Sequence, residues 1–174
     1  MTTVHATFDS PLGELLLVGV ESASAPGGTA LVSLSVPGQK GGAVVRDGWR
    51  RAPRAFAGIG AQLGAYFAGE LTRFDIEYAA DAPGTDFQRQ VWAELDAIEY
   101  GTTVSYGEIA RRIGASSVKV RAVGTAIGRN PLLVVRPCHR VIGSDGSLKG
   151  YAGGLDRKEA LLGLEGALSP LTAP

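Results

Sequence analysis

The segment Arg136-Pro137-Cys138-His139-Arg140-Val141-Ile142-Gly143 carries the densest chemistry in the chain. A thiolate rather than a thiol is the nucleophile, so a working cysteine needs a base or cations to help it ionise. Here His139 follows the sole cysteine directly, and Arg136 and Arg140 flank the pair. Glu165 offers a carboxylate to orient the imidazole, which gives the acid–histidine–cysteine logic of nucleophilic catalysis. Each residue alone reads as core, because a lone cysteine usually behaves as a small buried hydrophobe. Their adjacency beside two arginines favours the nucleophile. A cysteine peptidase fits poorly, since its nucleophile and base generally come from separate elements. One Cys excludes an intramolecular disulfide, and with two His it leaves too few ligands for a Cys-rich zinc site.

These residues need a scaffold, and the sequence punctuates one. Val4 to Phe8 and Leu15 to Val20 read as strands around the turn Asp9-Ser10-Pro11-Leu12-Gly13, and Ala30 to Val36 alternates as a third. Ala55 to Phe67 has helical spacing, Phe74 to Tyr78 is expected to close the sheet, and the stretch from Pro37 to Pro53 reads as loop. A boundary falls at Asp81 to Gly84. Beyond it, Thr85/Gln88 and Ser105/Glu108 have capping-box spacing, the second opening a short helix from Tyr106 to Ile113 that Gly114 ends. A second helix from Ser117 to Gly128 completes a helix-turn-helix. Leu132 to Val135 reads as a short strand, and Gly143 to Gly146 as a turn in a wing. Asp156 and Glu159 are expected to cap a last helix, Arg157 to Glu165, that Gly166 closes.

The fold class expected is therefore α+β. A small N-terminal domain with a β-sheet and helix spans residues 1–84; a mostly helical C-terminal domain with a winged helix-turn-helix spans 85–174. At 174 residues, 45% hydrophobic and 20% charged, the chain can bury a real core and is not intrinsically disordered. Met1 to His5 lacks the basic start of a signal peptide and no apolar run approaches a membrane span, so a cytoplasmic protein is expected.

The 17 basic and 17 acidic residues cancel, which ordinarily argues against a nucleic-acid partner. Their distribution argues the other way. Ile109 to Ser144 contains no acid but holds Arg111, Arg112, Lys119, Arg121, Arg129, Arg136 and Arg140. On charge alone this is a solvated helix face or a local cationic field. The second helix adds Ala122, Val123, Gly124, Thr125 and Ala126 after Arg121. Small side chains suit close approach to a minor groove, and equally suit packing against a neighbouring helix.

Several motifs together resemble the O6-alkylguanine-DNA alkyltransferase family. They are Phe87-Gln88…Val91-Trp92, Val104-Ser105-Tyr106-Gly107, Arg121-Ala122-Val123-Gly124, Asn130-Pro131, Pro137 to Gly143, Gly150-Tyr151-Ala152-Gly153-Gly154 and Lys158-Glu159…Leu161-Leu162…Glu165-Gly166. The likeness is dense from Phe87 to Gly166 and looser before it. It implies a DNA repair protein that moves the alkyl group of O6-alkylguanine irreversibly to Cys138, flipping the nucleotide through the minor groove. His139 would be the water-linked base, Glu165 its orienting carboxylate, and Tyr106 a proton donor to guanine N3. Arg121 would fill the gap left in the stack, with Ala122, Gly124, Thr125, Arg129, Arg136 and Arg140 also on the DNA. Asn130 would brace the helix-turn-helix, and Val141, Tyr151, Ala152, Gly153 and Lys158 would shape or support the pocket.

The resemblance implies no cofactor, and with no cysteine in the first domain, no metal. The partner expected is double-stranded DNA containing O6-alkylguanine, bound by a monomer, with cooperative assembly on DNA left open and no membrane involved. The sequence departs from the family at Glu99-Tyr100-Gly101, at Ala160 and at Arg136, where an apolar residue is commoner. Arg136 is expected to aid DNA affinity or to lower the Cys138 pKa. The alternatives are a lesion binder without transfer, which carries another residue in place of the cysteine, and a helix-turn-helix regulator, for which the second helix lacks base-reading side chains.

Overall fold

A computed structural model describes residues 2–80, 82–115 and 119–168. The chain divides into two compact units, Met1–Ala82 and Pro83–Pro174.

In the first unit, β1 (Thr3–Ser10) and β2 (Gly13–Glu21) form an antiparallel hairpin in which Ser10 faces Gly13 and Val4 faces Gly19. Ser10 ties its turn by donating to Gly13 O at 2.7 Å and accepting from Leu12 N at 3.1 Å. β3 (Thr29–Ser35) pairs with β2 across a bulge at Val18/Gly19. The sheet order is β3-β2-β1-β4. Its fourth strand corrects the sequence reading of residues 37–53 as loop, because β4 (Arg50–Arg51) pairs parallel to β1. A 3-10 turn, Pro53–Phe56, leads into α1 (Ala57–Phe67), which buries Ile59, Leu63 and Tyr66. Phe74 to Tyr78 forms no strand among the described residues. It touches β3 at a single parallel bridge, Leu31 to Tyr78, because the Gln62 amide takes both the N–H (2.7 Å) and the C=O (2.9 Å) of Asp75.

In the second unit, α2 (Asp86–Asp96) opens on a complete capping box between Thr85 and Gln88 and buries Val91, Trp92 and Leu95. Ser105 caps α3 (Tyr106–Arg112) by accepting from Glu108 N at 3.0 Å. The box is only half made, since the Glu108 carboxylate turns to Arg111 and Arg112. Gly114 follows at φ 72°, and α4 runs Val120–Gly128; the expected start at Ser117 lies outside the described residues. Trp92 ties α2 to α4 by donating its indole N–H to Ala126 O at 2.9 Å.

Three further expectations need correction. Leu132 to Val135 is no strand but a buried turn, with Arg136 N on Leu132 O at 3.0 Å and Val134 at φ 72°. β6 (Val141–Ile142) pairs parallel with β5 (Val104–Ser105), and the Gly143–Gly146 turn forms, but the segment beyond it is not a strand. α5 begins at Leu155 and ends at Leu164, so Asp156 lies inside its first turn and neither Asp156 nor Glu159 caps it. Gly154, at φ 93°, is the N-cap, and Gly166, at φ 69°, ends the segment as expected. Sheets and helices in both units make the fold α+β. Among the described residues no helix is long and apolar enough to cross a membrane.

Candidate active site and nucleic-acid interface

Cys138, His139 and Arg140 form a 3-10 turn directly before β6. With about three residues per turn, successive side chains leave such a turn roughly 120° apart. Their side chains therefore leave the turn in different directions although the residues adjoin in sequence.

His139 and Arg140 both reach Glu165, the residue that ends α5. His139 Nε2 lies 2.7 Å from Glu165 Oε2, and Arg140 donates to Oε1 at 2.7 Å and to Oε2 at 3.0 Å. Arg140 also donates to Ile98 O at 2.6 Å and lies over the Tyr100 ring. All three side chains are buried. Arg140, expected on the DNA, thus has its charge balanced inside the protein by Glu165.

That balance sets the state of the histidine. Burial holds the His139 pKa below its ordinary value, against the opposing pull of Glu165. A neutral ring that donates from Nε2 to the carboxylate keeps a lone pair on Nδ1. Nδ1 is buried and has no hydrogen-bond partner among the described residues. The ring is thereby presented as a base.

Cys138 is buried, and burial pushes its thiol up to about 11. The Asn130 amide is the strongest opposing influence, followed by the Lys158 ammonium; Arg136 pulls in the direction the sequence suggested but contributes least. The flanking arginines therefore do not give a resting thiolate. Cys138 thus sits as a buried thiol with a raised pKa, one residue from a buried histidine whose pKa is lowered.

Asn130 builds the loop before the cysteine. Its Oδ1 accepts from Leu132 N at 3.0 Å, and its Nδ2 donates to Arg136 O at 3.1 Å and Leu132 O at 3.4 Å. Lys158 is fully buried and donates to Val141 O at 2.6 Å and Gly150 O at 3.0 Å. Burial brings its pKa down to about 8. Its ammonium lies 5.7 Å from the Tyr106 ring centre. Tyr106 O–H makes a long 3.5 Å contact to Gly150 O, and burial, with the nearby Cys138, raises its pKa. Val141 and Gly153 are buried, while Tyr151 and Ala152 are half-buried.

An open cleft of about 880 Å³ lies beside these groups, lined by Tyr106, Arg121, Gly124, Thr125, Lys149 and Gly150 among others. A methyl on Gly124 would stand 3.8 Å from the Tyr106 ring, an ordinary van der Waals contact. Arg121, Ala122, Thr125 and Arg129 are exposed along α4, and Gly124 is half-buried.

The cationic stretch is weaker in three dimensions than in sequence. Glu108 pairs with Arg111 (2.8 Å) and Arg112 (3.5 Å), Asp96 with Arg136 (3.3 Å), and Glu165 with Arg140 (2.7 Å). Arg136 is also tucked over Trp92, so its guanidinium is held between a ring and a carboxylate. Lys119, Arg121 and Arg129 remain exposed without an ion pair among the described residues. The spacing of Glu108 to Arg111 and Arg112 was a readable signal for two of these pairs; nothing local announced Asp96. No cluster of three or more His, Cys, Asp or Glu is placed to hold a metal among the described residues.

Residues 86–167 match the family described as 6-O-methylguanine DNA methyltransferase, DNA binding domain. A methylated-DNA–protein-cysteine methyltransferase of Mycolicibacterium paratuberculosis is 53% identical over 166 residues, covering 95% of this chain and 94% of its own. One of Methanosarcina acetivorans is 47% identical, covering 94% and 98%. The crystal structure of Mycobacterium tuberculosis OGT in complex with DNA is similar at a TM-score of 0.82, with 48% identity and coverage of 98% and 96%.

Proposed function

The chain belongs to the methylated-DNA–protein-cysteine methyltransferase family and moves an alkyl group from DNA to a cysteine of its own; we propose that Cys138 is that cysteine and O6-alkylguanine in duplex DNA the donor. The observation that carries this reading is the buried His139–Glu165 pair, one residue from the buried Cys138, with Nδ1 left as acceptor. His139 takes the thiol proton through one water, and the sulfur attacks the alkyl carbon as its bond to O6 breaks. Tyr106 supplies a proton to guanine N3 as the base leaves. The sum converts thiol and alkylguanine to thioether and guanine. The thioether carbon carries no activated leaving group, so nothing in the chain reverses the transfer and each chain acts once.

A base inside a duplex is out of reach of a buried thiol, and extruding it costs about a few kcal/mol, least for a poorly paired lesion. Arg121, at the mouth of the cleft, is suited to fill the vacated stack with its planar guanidinium. The small residues of α4 let its backbone approach the minor groove, while Lys119, Arg121 and Arg129 meet phosphate. We place the second unit in DNA binding and alkyl acceptance, the first in support, and a monomer in the compartment that holds the cell's DNA.

The test is duplex DNA carrying radiolabelled O6-methylguanine. Label should pass to wild-type protein and not to Cys138→Ser, and an unlabelled wild type would overturn the reading. Arg121→Ala should slow repair in duplex DNA more than reaction with free alkylated base; equal slowing would reject the stack-filling role.

A further inference from the structure

Alkyl transfer accounts for Cys138, His139 and Glu165, but not for an arginine two residues before the acceptor that reaches away from it. Arg136 Nε lies 3.3 Å from Asp96 Oδ1, and its guanidinium carbon lies 5.3 Å from the Trp92 ring centre. The side chain is 11% exposed. Trp92 and Asp96 stand four apart on α2, so ring and carboxylate face the guanidinium from neighbouring turns. The same Trp92 holds Ala126 O of α4.

The backbone of Arg136 is held from another direction. Its carbonyl accepts from Asn130 Nδ2 at 3.1 Å and from Cys138 N at 2.7 Å, and its N–H donates to Leu132 O at 3.0 Å. The turn it closes contains Val134 at φ 72°, a disfavoured conformation for a β-branched residue. Such a turn persists only when its surroundings over-determine it. Asn130 holds its backbone, and the Arg136 side chain ties its far end to α2.

We propose that Arg136 is a positioning residue for Cys138, clamped by Trp92 and Asp96 so that the acceptor loop is fixed to α2 and held in register with α4. It is not a DNA contact. The groups facing the thiol are Asn130, Lys158 from α5, Tyr106 from α3 and, most weakly, Arg136. The clamp therefore acts through geometry more than through charge. The inference rests on the alkyl-transfer reading for its principal assay.

Arg136→Met keeps the stem and removes the ion pair, while Arg136→Lys keeps the charge and removes the planar fork. Each variant is assayed for single-turnover transfer from labelled duplex, for reaction with free O6-benzylguanine, for duplex affinity and for thermal midpoint. Arg136→Met should slow both reactions by the same factor, roughly tenfold, a scale set by loss of reactive alignment. Duplex affinity should stay within about twofold, because no phosphate contact is lost. Arg136→Lys should not restore the rate. Asp96→Asn should give a smaller loss of the same kind and add nothing on top of Arg136→Met.

A folded Arg136→Met with wild-type rates would overturn the clamp. So would weakened duplex binding with the free-base reaction untouched, since that outcome marks a phosphate contact. Should Arg136→Met fail to fold, Asp96→Asn alone carries the comparison of the two reactions. If wild-type protein accepts no label, the functional reading fails instead, and the rate of Cys138 alkylation by iodoacetamide still reports whether the clamp orders the loop.

Discussion

The two units bury polar groups of different kinds. In Met1–Ala82 the buried polar residues are Thr29, Ser33 and Ser35; in Pro83–Pro174 they are Asn130, His139, Arg140, Lys158 and Glu165. A hydroxyl asks little of a core: Thr29 is met by one 2.6 Å bond to Ala55 O. A buried ion needs a counter-ion and several hydrogen bonds before its desolvation is offset. The first unit is built by ordinary core rules, with Val4, Leu15, Leu31, Leu34 and Leu63 fully enclosed. The second breaks those rules around Cys138. Clustered buried charge is thus a sharper marker of this site than any single motif.

The largest test of this contrast is Glu165→Ala, which takes the carboxylate from Arg140 and His139 together. Leaving Arg140 buried without it should destabilise the protein by about 3–5 kcal/mol in urea unfolding. A loss near zero would mean that Arg140 is not held as an ion in the interior.

Next in size is a pH effect. The folded state depresses Lys158 to about 8 from 10.5, so its stability penalty is full below pH 8 and is relieved as pH rises to 10.5. The scale of that gain is about 3 kcal/mol. Cys138, raised to about 11 from 9.0, acts in the opposite sense, because the unfolded thiol ionises first and stability falls over that interval. Cys138→Ser should therefore reveal the rising branch that the wild type partly masks. A flat stability profile for Cys138→Ser from pH 8 to 10.5 would refute the buried ammonium.

In the first unit, a methyl on Gly19 would stand 2.8 Å from Ala30 O and from Thr29 Cγ2. Gly19→Ala should destabilise by about 1–3 kcal/mol. The transfer rate per folded molecule should not change, and a slower rate at equal folded fraction would break the division of labour. The smallest effect is expected at the α2 cap. Thr85→Ala should lower stability by about 1 kcal/mol and leave the iodoacetamide pH profile of Cys138 in place.

Features fixed by a few neighbouring residues were legible in the sequence. The Ser10–Gly13 hairpin, the Thr85/Gln88 box, and the glycines at 114 and 166 each follow from local backbone needs. The sequence also named His139 and Glu165, which lie 2.7 Å apart, and Asn130, whose amide bears on the Cys138 thiol. The buried ion pair of Arg140 was not legible because adjacency says nothing of direction in a 3-10 turn. The ion pair and ring contact of Arg136 were not legible because its partners lie 40 and 44 residues earlier, on a helix face whose packing is tertiary. The apolar run Leu132 to Val135 was read as strand because a buried turn and a buried strand look alike in composition. A charge count along the chain likewise cannot see acids that fold back from positions 96, 108 and 165.

Those returning acids bear on how the protein finds a lesion. If Lys119, Arg121 and Arg129 are the cations that meet phosphate, as proposed, grip on undamaged duplex should fall with salt at a log–log slope of roughly −2.7 or shallower. Such a hold is brief at the ionic strength of a cell. Molecules that lingered on intact DNA would scan little of it, and each has a single reaction to give. Glu108 and Asp96 hold the charge of three arginines within the protein, so the sum over the chain overstates what the second unit can offer a polyanion.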